Sequence, residues 1–182
     1  DLVRAGLSWT LAVNVEQLLL TGTGAFNGTG NTKANLLTGN NAANTLLGLD
    51  GRDTLNGAGG NDILDGGTGN DSLVGGTGLD TFRFSTTLNG TTNVDVVSGF
   101  VRADDRFLLD DAVFAGIGAV GALALGAFRT GTAALERDDR IIYNKAQGKI
   151  YFDADGFGGA AQVLFATVAI DTDIRADDFF IG

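Results

Sequence analysis

The stretch "GGNDILDGGTGNDSLVGG", residues 59–76, packs seven glycines and three aspartates into eighteen positions. A floppy acidic linker would look like this, and so would a built object whose acids are placed to hold something. Spacing separates the two. Outward from this stretch the chain repeats every nine residues, starting at Gly30: GNTKANLLT, GNNAANTLL, GLDGRDTLN, GAGGNDILD, GGTGNDSLV and GGTGLDTFR. The first position is always Gly, and the fourth is Gly in the last four units (Gly51, Gly60, Gly69, Gly78). The sixth reads Asn35, Asn44, Asp53, Asp62, Asp71, Asp80, and the eighth reads Leu37, Leu46, Leu55, Leu64, Leu73, Phe82. In-phase self-similarity of this kind marks a repeat architecture, not a compositional accident.

Each position has a physical job. Glycine allows positive φ and close backbone approach, as a tight turn requires. The triplet after the acid, such as Thr54-Leu55-Asn56, is a minimal strand with one side chain pointing inward. Turn, strand, turn, strand closes one coil of two units, so each unit stacks on the next but one, about 4.8 Å away. Asp53 then lies over Asp71 on one edge, and Asp62 over Asp80 on the other. Asp65, one residue past the inward Leu64, falls on the outer face as a surface charge. Like charges stacked this closely repel, and one buried leucine per unit is little against the entropy of ordering nine backbones. A divalent cation between stacked turns reverses the repulsion. With oxygen ligands only, Ca²⁺ is the cation to expect.

The units resemble GGxGxDxUx, the nonapeptide of the RTX (repeats-in-toxin) proteins. GGTGNDSLV matches at every specified position and GGTGLDTFR nearly so, and the resemblance spans the six units, residues 30–83. It implies an all-β, right-handed parallel β-roll in which Ca²⁺ is held by the sixth-position aspartates of two stacked turns and by turn carbonyls. Carried onto this chain, one site takes Asp53 and Asp71 and the other Asp62 and Asp80, with carbonyls from Gly51, Gly60, Thr68 and Thr77. Two sites are expected, with room for four or more. Sites pairing Asn35 with Asp53 and Asn44 with Asp62 stay open, because a neutral amide is the weaker ligand; hydrogen bonding by Asn is the alternative there. The resemblance also implies the C-terminal region of a bacterial protein exported by type I secretion, located outside the cell or on its surface. Its partners would be calcium ions, the exporter in passing, and the rest of the parent polypeptide.

Composition agrees. The net charge is −10, which argues against nucleic acid and anionic membranes and for cations. Of 22 acids only Glu16 and Glu136 are glutamates, a bias toward turns, caps and hard-cation ligands. Without Cys there is neither disulfide nor thiolate site, and without His neither Ser-His-Asp nor HExxH chemistry. A non-catalytic module is therefore expected. No Met is present, which suggests a fragment or processed product. No apolar run is long enough to span a bilayer, and no basic segment marks an N-terminal signal.

The flanks read as β-structure. Residues 1–29 alternate around Val13, Val15, Leu18 and Leu20, a lead-in coil covering the open end of the roll. Residues 84–182 carry strand-like runs at Val94–Val97, Arg106–Leu109, Arg140–Asn144, Lys149–Asp153 and Gln162–Val168, forming a β-rich cap. Within it Asp110–Phe128 reads as a short helix and a loop. The closing "IRADDFFIG" resembles the acidic-then-apolar end of RTX proteins that use type I export.

Two motifs compete. "GIGAVG", Gly116 to Gly121, formally matches GxGxxG, but the strand before it and the acid after it are missing, so a Gly/Ala loop is expected. "DADG" starts like an EF-hand loop, yet Leu164 stands where the twelfth-position Glu belongs. A hairpin turn is the plain reading, and an accessory Ca²⁺ site at Asp153 and Asp155 the other. The pairs Asp104-Asp105, Asp110-Asp111, Asp138-Asp139 and Asp177-Asp178 read as solvated turns or caps. Rival functions are an accessory module of a β-helical polysaccharide-active enzyme and a surface adhesion or ice-binding module.

Overall fold

In the computed structural model, which describes residues 1–182, each nine-residue unit becomes one turn and one short strand. Ahead of the units run β1 (Leu2–Ala5), β2 (Trp9–Thr10), β3 (Gln17–Leu20) and β4 (Gly28–Thr29). The units give β5 (Leu36–Thr38), β6 (Thr45–Leu47), β7 (Thr54–Gly59), β8 (Ile63–Asp65), β9 (Ser72–Thr77) and β10 (Thr81–Phe84). Beyond them come β11 (Asp95–Ser98), β12 (Arg106–Leu109), β13 (Gly121–Ala122), β14 (Phe128–Thr130), β15 (Ile141–Asn144), β16 (Lys149–Phe152), β17 (Val163–Thr167) and β18 (Phe179–Ile181).

Odd-numbered strands β1 to β11 stack side by side in one sheet, and even-numbered β2 to β12 in the other. Every pairing among them is parallel. Leu37 pairs with Leu55 and Leu55 with Leu73, while Leu46 pairs with Leu64 and Leu64 with Phe82. The chain is thus a parallel β-roll in which each unit rests on the next but one.

Alternation explains the section of the roll. The middle residue of each strand triplet points between the sheets, and Leu37, Leu46, Leu55, Leu64, Leu73 and Phe82 are all fully buried. One column continues upward as Leu18 and downward as Val97; the other continues downward as Phe107 and Phe179. Both are parts of one hydrophobic core.

The C-terminal half extends both sheets. On the first, β17 pairs parallel with β11, β16 and β15 follow as an antiparallel meander, and β14 lies parallel to β15. On the second, β18 pairs parallel with β12, and β13 antiparallel with β18. "IRADDFFIG" therefore ends as a packed strand with Phe179 and Ile181 buried. Leucine gives way here to aromatic rings: Phe107 stacks on Phe100 and Phe179 at 4.7 and 4.8 Å, and Phe114 meets Phe152 and Phe165 edge-on at 5.1 Å.

Two expectations change. Asp110–Phe128 holds no α-helix, only turns, β13 and a 3-10 turn at Leu125–Ala127. Gly116, Gly118 and Gly121 interrupt any helical run, and separate turns tuck Phe114, Ile117, Leu123 and Ala127 into the core. Val13 is 60% exposed and lies in a turn, so the strand that buries Leu18 and Leu20 begins only at Gln17. Gly116, Gly118 and Gly121 all sit at positive φ (81°, 142° and 124°), the backbone of a winding loop. No helix is long and apolar enough to cross a membrane.

Candidate metal centre

The turns place the sixth-position side chains in two vertical ladders, one along each edge of the roll. On the first, the Asp53 N–H donates to Asp71 Oδ1 at 2.7 Å. On the second, the Asp62 N–H donates to Asp80 Oδ1 at 2.9 Å. Each ladder begins at an asparagine: the Asn35 N–H donates to Asp53 Oδ1 and the Asn44 N–H to Asp62 Oδ1, both at 2.7 Å. So the structure brings Asp53 to Asp71 and Asp62 to Asp80. All four side chains are about 1% exposed.

One oxygen of each carboxylate is thus accounted for and the other is not. Oδ2 of Asp53, Asp62, Asp71 and Asp80 is buried and accepts no hydrogen bond. Each faces the first-position glycine of its own unit, and a Cβ at Gly48, Gly57, Gly66 or Gly75 would collide with it. An ionised carboxylate oxygen without a partner is expensive to bury. Burial pushes Asp53 and Asp62 up to about 7, and the Asp71 and Asp80 carboxylates push the same way, against the pull of the Asn35 and Asn44 amides. Asp71 and Asp80 are also raised, again by burial first. These acids are built for a counter-charge that the chain's own cations do not provide.

The predicted carbonyls divide. Those of Gly51 and Gly60 accept no hydrogen bond, whereas those of Thr68 and Thr77 take the Gly51 and Gly60 N–H groups at 2.9 Å, leaving one lone pair each. No three acids converge on a point, so a cation here would have paired carboxylates and backbone carbonyls as ligands. Hard oxygens in a glycine cradle, with buried unpartnered carboxylate atoms, fit Ca²⁺. Asp53 and Asp71 lie beside one open cleft, with Arg52 and Asn70, and Asp62 and Asp80 beside another, with Asn61 and Asp104.

The ladders run further than the nine-residue frame. The Asp71 N–H donates to Asp95 Oδ1 and the Asp80 N–H to Asp105 Oδ1, both at 3.1 Å and across 24 and 25 residues. Asp95 is buried and pushed up to about 8, by burial and then by Asp71; Asp105 is buried and raised likewise. Asp105 is therefore a ladder rung that also caps its own turn, its Oδ2 accepting the Val101 N–H at 2.8 Å, and not a solvated residue. Periodicity misses both because inserted loops break the spacing. The usable signal is local: Asp95-Val96-Val97 and Asp105-Arg106-Phe107 repeat the acid-any-apolar end of a unit.

Asp65 also departs from the reading as a surface charge. It is 5% exposed, and its Oδ2 accepts from Arg83 Nε at 2.6 Å and Ser85 Oγ at 2.7 Å. Asp153 and Asp155 do not pair across coils. Asp153 Oδ1 accepts the Asp155 and Gly156 N–H groups, and Asp155 Oδ2 those of Gly159 and Ala160. Both serve their own turn. Asp139 and Asp178 cap turns, taking the Leu135 and Glu136 amides and the Arg175 amide respectively.

A parallel roll with two ladders of buried acids defines a calcium-binding repeat module. Comparison with known families agrees: residues 29–64, 38–73 and 47–82 match the RTX calcium-binding nonapeptide repeat. Residues 29–82 are RTX repeats, and Ca²⁺ is their ion. Among solved structures the chain is similar to the "AlgE6R3 subunit from the Azotobacter vinelandii Mannuronan C5-epimerase", at 29% identity and a TM-score of 0.51, over 81% of this chain and 77% of that one. No curated protein matches the sequence.

Proposed function

We propose that this chain is a non-catalytic, calcium-dependent folding module of a larger bacterial protein exported by type I secretion. Its parts would be a lead-in coil at 1–29, the repeat roll at 30–83 and a capping region at 84–182. The observation that carries the reading is the set of four buried, unpartnered carboxylate oxygens on Asp53, Asp62, Asp71 and Asp80. Asp53 with Asp71 and Asp62 with Asp80 would hold two ions, aided by the Gly51, Gly60, Thr68 and Thr77 carbonyls. Asp95 and Asp105 offer two further positions below them.

When bound, Ca²⁺ supplies the positive charge that the stacked carboxylates lack. In a cytosol poor in calcium the acidic coils stay open and able to thread an exporter. Outside, extracellular-grade sites with Kd of about 10⁻⁴–10⁻³ M would fill. At tenfold saturation each adds about 1.4 kcal/mol by mass action, enough to close a marginal fold around the buried leucines. RTX repeats are typical of secreted bacterial proteins, which supports an extracellular or cell-surface location. The likeness to a subunit of a polysaccharide-modifying enzyme supports a second reading, an accessory module attached to such an enzyme.

Circular dichroism during Ca²⁺ titration, with Mg²⁺ as control, tests the main reading. A cooperative gain of β-structure with Ca²⁺ alone is expected. Full β-structure in excess chelator would overturn it.

A further inference from the structure

The two ladders change chemistry at their tops, and the change goes beyond replacing Asp with Asn. Asn31 and Asn40 stand at the second position of the first two units, where the later units have Leu49, Ala58, Gly67 and Gly76. Asn31 Nδ2 donates to the carbonyls of Ala12 and Val15, at 2.7 and 2.8 Å, in the coil above. Asn40 Nδ2 donates to those of Gly22 and Gly24, at 3.1 and 2.9 Å. Asn44 Nδ2 reaches the Phe26 carbonyl and Asn40 Oδ1, while Asn35 Nδ2 reaches Asn31 Oδ1. The Oδ1 atoms of Asn35 and Asn44 take the Asn31 and Asn40 amides. All four side chains are buried, and none leaves a polar atom unpartnered.

The backbone changes at the same boundary. Leu49, Ala58, Gly67 and Gly76 lie at positive φ (82°, 75°, 92° and 107°), whereas Asn31 and Asn40 do not. For Leu49 and Ala58 that conformation is strained. The upper turns are therefore relaxed and closed by side-chain amides, and the lower turns hold unpartnered carboxylates, two of them with strain at Leu49 and Ala58.

We propose that Asn31, Asn35, Asn40 and Asn44 do for the first coils the bridging that the Asp rungs leave to a cation. Residues 1–47 then form a metal-independent seed whose Asn35 and Asn44 backbone N–H groups present the first hydrogen-bond donors to Asp53 and Asp62. The Asp coils close onto this seed as calcium arrives, so the calcium-dependent part of the roll begins at Gly48. This inference rests on the calcium-dependent reading above and adds a boundary and a starting point to it.

Amide hydrogen exchange on the full chain, read by mass spectrometry in chelator and in CaCl₂, tests it. In chelator, peptides covering 30–47 should exchange at least about tenfold more slowly than those covering 53–82, and calcium should slow the second set. Free exchange throughout in chelator, with protection everywhere in calcium, would overturn the seed and leave the calcium-dependent reading standing. Equal protection of both sets in chelator would sink that reading instead, and the boundary with it. The near-isosteric pair Asn35→Asp/Asn44→Asp adds a chemical check. It should lose the chelator protection at 30–47, and unchanged protection would show that these amides are not the bridge.

Discussion

Asp71→Ala is the most demanding single substitution for the ladder. The side chain accepts the Asp53 N–H, and its own backbone N–H goes to Asp95, so it faces two gaps between rungs. Removing the acceptor leaves a buried N–H unpaired, at about 1–3 kcal/mol. Removing the carboxylate also weakens both gaps, each of which adds about 1.4 kcal/mol at tenfold saturation. Together the loss is about 4–6 kcal/mol. Divided between the two ions on the opposite ladder, it is about 2–3 kcal/mol per ion, more than a tenfold rise in the calcium midpoint at about 1.4 kcal/mol per decade. Circular dichroism during calcium titration reads the midpoint. In chelator the same substitution removes a buried charge and should be far less costly, which separates ion binding from packing. A midpoint within about twofold of the parent would refute the ladder as the cation site.

Other perturbations have equally direct outcomes. Because burial raises Asp53, Asp62 and Asp95 above the usual carboxylate range, the cation-free roll holds its stability at pH below about 4 and loses it as pH rises through about 7–8. Melting temperatures in chelator should therefore rise on acidification, while the calcium midpoint also rises because the ligands must lose protons. Gly69 sits at φ +142° with the Gly51 carbonyl where a Cβ would go. Gly69→Ala should cost more than about 1 kcal/mol in a calcium-saturated denaturant melt. Arg83→Ala leaves the buried Asp65 carboxylate with Ser85 as its side-chain donor and should cost about 1–3 kcal/mol in the same melt, partly recovered by Asp65→Asn.

What was legible in the sequence is what repeats. Nine-residue phasing placed Leu37 through Phe82 inward and set Asp53 against Asp71, because stacking coils of equal length turns a sequence period into a spatial one. Where coil length varies, phase is lost although the slot is kept, and so Asp95 and Asp105 escaped the count. Asp65 was misjudged for a different reason. Alternation correctly put it outside the leucine core, but outside a sheet is not the same as exposed, and Arg83 and Ser85 close over it. The helix expected in Asp110–Phe128 does not form because Gly116, Gly118 and Gly121 take positive φ, which breaks a helix whatever the apolar spacing around them. Asn31 and Asn40 recur at the second position of the first two units, but that recurrence does not give their role, which shows only in what their side-chain amides touch.

The leucine columns have one further consequence. Sliding the repeat strands by a whole coil would set leucine on leucine again, so the middle of the roll carries almost no information about its own alignment. Phe82, Phe107 and Phe179 break that degeneracy at one end, with Phe100 stacked on Phe107. A misaligned roll would have to fit these rings where only leucine has room. The aromatic end thus acts as a steric index mark, fixing the count of coils by volume where the repeating core cannot.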